Sequence, residues 1–129
     1  PFRYDACLRL AGLGPVQDDI EQLTGVAPSH MHRKGDAIGR SGRQRKEDLW
    51  LLASPLGEEA SLDEHLGWLW LQVEEHGEAF RRCIQQASWA DVCLGCLSES
   101  VYPVLTISPQ SLRILRELDL ALTFNFTVV

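Results

Sequence analysis

FRYDACLRLA, residues 2–11, alternates Phe2, Tyr4, Ala6, Leu8 and Leu10 with Arg3, Asp5, Cys7, Arg9 and Ala11. A period of two with one polar side is the pattern of a half-buried strand. The same pattern returns in LALTFNFTVV, residues 120–129. There Leu120, Leu122, Phe124, Phe126 and Val128 point one way, and Ala121, Thr123, Asn125 and Thr127 the other. Two strands with one polar face each define a sheet covered on one side only. Arg3, Asp5, Arg9, Thr123, Asn125 and Thr127 then line its open face.

Between these strands the chain alternates. Gly12 to Gly14 turns it, and Pro15 suits a first helical position. Ile20 and Leu23 are expected to face inward, Gly25 to cap the helix, and Pro28 to stop it. Asp48 to Ser54, DLWLLAS, is apolar on both faces, a strand covered on both sides or one whose second face meets a partner. Ser61 with Glu64 forms a capping box for a long helix. Its stripe is Leu62, Leu66, Leu69, Val73, Phe80, Ile84 and Ala87, with a break expected at Gly77. Trp68 and Leu71 fall on the opposite side. Ala90 to Ser98 reads as a strand, joined through Glu99 to Tyr102 as a hairpin to a strand at Pro103 to Ser108. Ser108-Pro109 opens a last helix with Leu112, Leu115 and Leu118 inward. The expectation is one α+β domain, a mixed sheet with helices mainly on one face, in the order β-α-β-α-β-β-α-β.

Ser29 to Glu47, SHMHRKGDAIGRSGRQRKE, fits neither pattern and reads as a flexible basic loop. It holds six of the twelve Lys and Arg residues against only Asp36 and Glu47, while the rest of the chain has six basic and sixteen acidic residues. A positive, glycine-rich loop on an acidic body is a candidate anion site, because Arg forks suit carboxylate and phosphate and glycine permits close approach. The net charge of −6 disfavours nucleic acid. No run approaches 18 apolar residues, which excludes a spanning helix. The beginning of the chain lacks a basic n-region followed by an apolar h-region, so a cytoplasmic setting is expected. In that setting Cys7, Cys83, Cys93 and Cys96 are expected to be reduced.

With these residues placed, the chain resembles the bacterial domain-of-unknown-function family 4279 along nearly its whole length. The resemblance rests on Pro28-x-x-x-His32-Arg33-Lys34-Gly35-Asp36, the Leu49-Trp50 strand and Leu62-Asp63-Glu64-His65-Leu66. It continues in Ser98-Glu99-Ser100 and Ser108-Pro109-x-x-Leu112, with Leu118 to Leu122 leading into a strand. Asp119 stands where the family often turns with a Gly. The resemblance implies a small intracellular bacterial protein and supplies no activity. Small acidic families of this kind often act as interaction or immunity proteins.

No catalytic signature is present: neither GxSxG, HExxH nor a phosphate loop occurs. Cys93-Leu94-Gly95-Cys96 lacks a second pair, and residues three apart in a strand point to opposite faces, so no metal is expected there. His65 and His76 read as boundary residues between core and solvent. Asn125-Phe126-Thr127, inside a strand, reads as a chance glycosylation triplet. The candidate binding residues are His32, Arg33, Lys34, Gly35, Arg40, Arg43, Trp50, Ser98 and Glu99. The expectation is a noncatalytic intracellular interaction protein, of the immunity type, without cofactor. It would contact an acidic or anionic partner through the basic loop and the open sheet face, with Trp50 as anchor. The partner is a protein or an anionic small molecule, and self-association as a homodimer stays open. The alternative is an enzyme or small-ligand protein acting on an anionic metabolite, with His32 as the titrating group.

Overall fold

The computed structural model describes residues 2–129. Five strands form one mixed sheet in the order β2-β3-β1-β4-β5. Strand β1 (Phe2–Ala11) lies at the centre, antiparallel to β3 (Leu49–Ala53) on one side and to β4 (Trp89–Ser98) on the other. The short β2 (His30–His32) pairs antiparallel with β3, and β5 (Ala121–Val128) runs parallel to β4. The alternation predicted for β1 holds: Ala6, Leu8 and Leu10 are buried, while Arg3 and Asp5 are exposed and Cys7 and Arg9 half-buried on the other face.

The covered face carries the helices. Helices α2 (Leu62–Val73) and α3 (Gly77–Gln86) form one arm, interrupted by a 3-10 turn at Glu74–His76 just before the expected Gly77. Ser61 caps α2 by accepting from the Glu64 N–H, and its hydroxyl meets the Glu64 carboxylate at 3.3 Å. Leu62, Leu66, Leu69, Val73 and Phe80 are buried, and Ile84 and Ala87 pack against them. Leu71 is exposed, as the stripe predicts, whereas Trp68 packs partly against the core. The arm traps Trp50 against Phe80 edge-to-face, with ring centroids 6.0 Å apart.

Four local expectations are corrected. First, Leu23 is exposed; the short α1 (Ile20–Thr24), entered through a 3-10 turn at Gly14–Asp19, buries Ile20 and Thr24 instead. The Thr24 hydroxyl donates to the Ile20 carbonyl at 2.7 Å, which satisfies it inside the core. Second, His65 is fully buried rather than at a boundary. One ring nitrogen meets Ser54 Oγ at 2.8 Å and Nε2 has no partner.

Third, Pro103 to Ser108 is extended but is not a strand, and there is no hairpin after β4. Leu105 and Ile107 are half-buried while Val104 and Thr106 are exposed, so the alternation reports burial without pairing. The edge of β4 that a hairpin would use is occupied by β5. A parallel neighbour requires a crossover of a dozen or more residues. Residues 99–120 supply it, through a 3-10 turn at Pro109–Leu112 and helix α4 (Arg113–Leu118). Ser108 makes no side-chain cap; with Ser111 it donates to Asp63 at the start of α2, and this docks the crossover on the helical arm. Ile114 and Leu118 carry the inward face of α4.

Fourth, the basic segment is not a loop throughout. It begins with β2 and then folds back on itself as a narrow ribbon. The Gly35 and Arg45 backbones are joined by a 2.8 Å bond, Arg45 N–H donates to Asp36 at 2.8 Å, and Ile38 N–H to Arg43 at 2.9 Å. Gly35, at φ +90°, makes one of the bends that a residue with a Cβ would resist.

Asp119 ends α4 at φ +54°, in the left-handed region that favours Gly. A side chain there costs about 1 kcal/mol, partly relieved for Asp. Asp119→Gly is expected to stabilise the fold by roughly 0.5 kcal/mol, less than the full strain because Gly also frees the unfolded chain. A urea midpoint that falls instead would show that the Asp119 side chain makes a contact of its own.

Candidate functional site

At the Ala11–Trp89 end of the sheet the ribbon stands beside the open face and borders an open cleft of about 590 Å³. Its floor is Arg9, Ala11 and Trp89; its wall is Ile38 and Arg43 to Glu47; His32, Asp48 and Leu49 close it.

The floor is fixed by one buried carboxylate. Arg9 on β1 sits opposite Asp91 on β4 and grips it with two bonds, 2.8 and 2.6 Å. The Thr123 hydroxyl on β5 donates to the same carboxylate at 2.6 Å. Asp91 is nearly buried and Arg9 about a quarter exposed, so the pair is far better insulated than a surface bridge. The paired carboxylate holds the Arg9 guanidinium charged, with its pKa pushed up. That guanidinium lies 5.1 Å from the Trp89 ring centre, stacked as cation on π face.

The closing edge is held by neutral donors. Asp48 accepts from the Leu13 and Gly14 N–H groups at 2.8 and 3.0 Å, tying β3 to the turn after β1. The buried Gln17 amide donates to the carbonyls of His32 and Leu49 at 2.8 and 3.0 Å, fixing the join of β2 to β3. Glu47 accepts from the Trp89 indole N–H at 2.9 Å. Both carboxylates facing the cleft accept from neutral N–H groups, which orient them and leave their charge in place. Among the described residues, Arg43, Arg45 and Lys46 make no ion pair. The result is a cleft lined by three cations without an ion-pair partner and two hydrogen-bonded carboxylates, over an aromatic floor.

His32 adds a titratable edge. Its pKa is lowered, first by burial, then by the charges of Arg45 and His30. Its Nδ1 lies 3.0 Å from His30 Nε2. A folded pKa below the ordinary 6.5 means that the fold prefers the neutral ring.

Of the nine candidate residues, two line this cleft: His32 and Arg43. Arg33 is turned away, ion-paired with Asp18, while its N–H donates to Asp36; it ties the ribbon to the 3-10 turn before α1. Lys34, Gly35 and Arg40 are exposed on the ribbon but outside the cleft. Trp50 is buried against Phe80 and cannot anchor a partner. Ser98 and Glu99 lie at the far end of β4, nine residues or about 30 Å from Trp89. The Ser98 hydroxyl is engaged within its own turn, on the Ser100 backbone. The site's own residues Arg9, Arg45, Lys46 and Trp89 were not singled out as site residues by sequence. The available signal was parity: Ala11 and Trp89 pair, and so share the face that Arg9 marks as polar.

Elsewhere on the open face, Cys7 and Cys93 sit opposite each other on neighbouring strands as free thiols. Burial, then the neighbouring Cys93, pushes the Cys7 thiol up to about 12. Cys96 points to the covered face and Cys93 to the open one, so the CxxC spacing does not converge. Gly95 lies under Asp5, whose carboxylate a Cβ would overlap. No group of three potential metal ligands exists among the described residues, and no helix there is long and apolar enough to cross a membrane.

Fold and site together define a small α+β domain whose one-layer sheet keeps a polar face open beside a cationic ribbon. The family model for a domain of unknown function (DUF4279) matches residues 2–128, and the chain belongs to that family. No curated protein and no solved structure matches it.

Two outcomes are expected. Asp91→Ala strands the Arg9 charge and frees Thr123, and should cost roughly 2–4 kcal/mol in urea unfolding; Thr123→Val should cost about 1 kcal/mol. For His32, the depressed pKa means that its contribution to stability is present above about pH 6.5 and is lost as pH falls toward the folded value. An NMR titration should place the His32 midpoint below that of an unfolded peptide, and Arg45→Ala should move it upward. A midpoint above the peptide value would contradict the assigned environment.

Proposed function

We propose that this chain is a noncatalytic cytoplasmic interaction protein that receives an anionic group, a carboxylate or phosphate of its partner, in the cleft under the ribbon. One observation carries the reading: Arg43, Arg45 and Lys46 converge on the cleft while both carboxylates beside them are occupied by N–H donors. An anion entering there meets three cations without displacing an existing ion pair. Arg9 stays with Asp91 and supplies rigidity, holding Trp89 flat beneath the incoming group. Planar guanidinium forks favour carboxylate and phosphate over a spherical ion. The four free cysteines suit a reducing compartment.

The test is an NMR titration with inorganic phosphate, then with a short Glu-rich peptide, at low and high salt. Saturable shifts are expected at His32, the Trp89 indole and residues 43–47. The double variant R43A/R45A should weaken affinity at least tenfold, and added salt should weaken it in the unaltered protein. Absence of saturable shifts, or equal binding by the double variant, would refute the reading.

A second reading is favoured by His32 alone. A ring held neutral at pH 7 at the edge of a cationic cleft is the form a general base needs, and would suit an enzyme acting on an anionic metabolite. Turnover of a simple phosphoester that His32→Gln abolishes, with anion binding intact, would select it.

A further inference from the structure

The opposite edge of the sheet carries a second surface. We propose that the free edge of β5 pairs antiparallel with the same edge of a second copy, so that two five-stranded sheets continue as one across a two-fold axis. This goes beyond the anion-binding reading and rests on different residues.

Strand β5 is terminal in the sheet, with β4 as its one neighbour. It is eight residues long, and no proline or ionisable residue interrupts Leu120 to Val129. Natural sheet edges are usually blunted by shortness, charge, proline or a covering element. The other edge obeys that rule: β2 has three residues, two of them His, and leads into the cationic ribbon. The β5 edge has none of these devices.

Beside the edge lies contiguous apolar surface. Phe124 and Phe126 stack with centroids 5.6 Å apart, and are 41% and 49% exposed although they point to the helix side. Phe126 and Val128 share a cleft of about 540 Å³ with Val101, Tyr102 and Val104 of the crossover. Tyr102 and Val104 are each 86% exposed. Phe124, Phe126, Val128, Tyr102 and Val104 together expose on the order of 600 Å². With the backbone edge added, this approaches the about 800 Å² per partner of a standard interface.

Charge permits a second copy at this surface, and the self-complementary edge selects it. Two chains of net charge −6 repel over most of their surfaces, yet no Asp, Glu, Lys, Arg or His lines this cleft or lies on β5. A strand edge is its own complement under a two-fold axis: each unpaired N–H meets a carbonyl of the partner, and each Phe pair meets its counterpart.

Sedimentation velocity over a dilution series tests this with the unaltered chain and the single variants F126K and V104K. Val104 lies outside the sheet and is almost wholly exposed, so V104K should leave unchanged the melting curve taken at dilution, where the chain is monomeric. A reversible dimer is expected, its dissociation constant raised at least tenfold by each variant. A chain that stays monomeric into the millimolar range would overturn the proposal, as would a dimer that tolerates both variants. A monomer that instead binds an extended Val-Thr peptide along β5 would overturn it in favour of a foreign strand.

Discussion

The Asp91 carboxylate joins three strands on the face that no helix covers. Hydrophobic burial on the helix side holds β1 and β4 together but says little about the open side, where solvent competes for every bond. There the contact of Arg9, Asp91 and Thr123 ties β1, β4 and β5 into one rigid layer. A lone buried carboxylate would be costly; three charge-assisted bonds offset much of that cost. The interaction lies at the end of the sheet where the ribbon stands. It therefore sets the position of Trp89 and, through the Trp89–Glu47 bond, the return of the ribbon to β3. Floor and wall of the cleft share one anchor.

The ribbon solves a related problem. Six cations in nineteen residues repel one another, and such segments often stay solvated and unstructured. Here backbone bonds between Gly35, Asp36, Ile38, Arg43 and Arg45 fold the segment. Arg33 is neutralised by Asp18, and the Gln17 amide locks its root. These tethers spend one cation and leave three facing the cleft. Held charge of this kind is more useful for recognition than mobile charge, because less side-chain and loop entropy is lost on binding.

The fold class was legible because β1 and β5 alternate cleanly and the helical arm has an unbroken stripe from a capping box. What escaped had physical reasons. DLWLLAS is apolar on both faces, so periodicity could not phase it, and only pairing with β1 shows that Trp50 goes inward. Trp89 stands at the end of an expected strand with no alternation before it, so its outward face was not assigned. Extended residues 103–107 carry a strand's alternation but find no ladder, because the parallel β5 reaches β4 first. The strand His30–His32 is too short, and too close to the charge run, to show a period. The basic segment itself was legible as an anion candidate. Which of its cations face inward depended on tethers from Asp18 and Gln17, a dozen or more residues away in sequence.

The same one-sidedness that opens the polar face also leaves the far edge incompletely covered. Helix α4 has six residues, about 9 Å of axis, and the preceding 3-10 turn adds about 8 Å. Strand β5 spans about 26 Å. The crossover can therefore bury Leu120 and much of Leu122 but runs out before Phe124, although the pleat keeps Phe124, Phe126 and Val128 on the helix side. In an isolated domain these positions would tolerate polar residues without loss. Single exposed apolar residues are ordinary, but a contiguous row of them beside a free strand edge is a patch of the kind that marks an interaction surface. The uncovered end of β5 is apolar, while the cleft at the ribbon is lined with charge. The two surfaces lie at opposite ends of β4, Trp89 at one and Ser98 at the other, and share no lining residue.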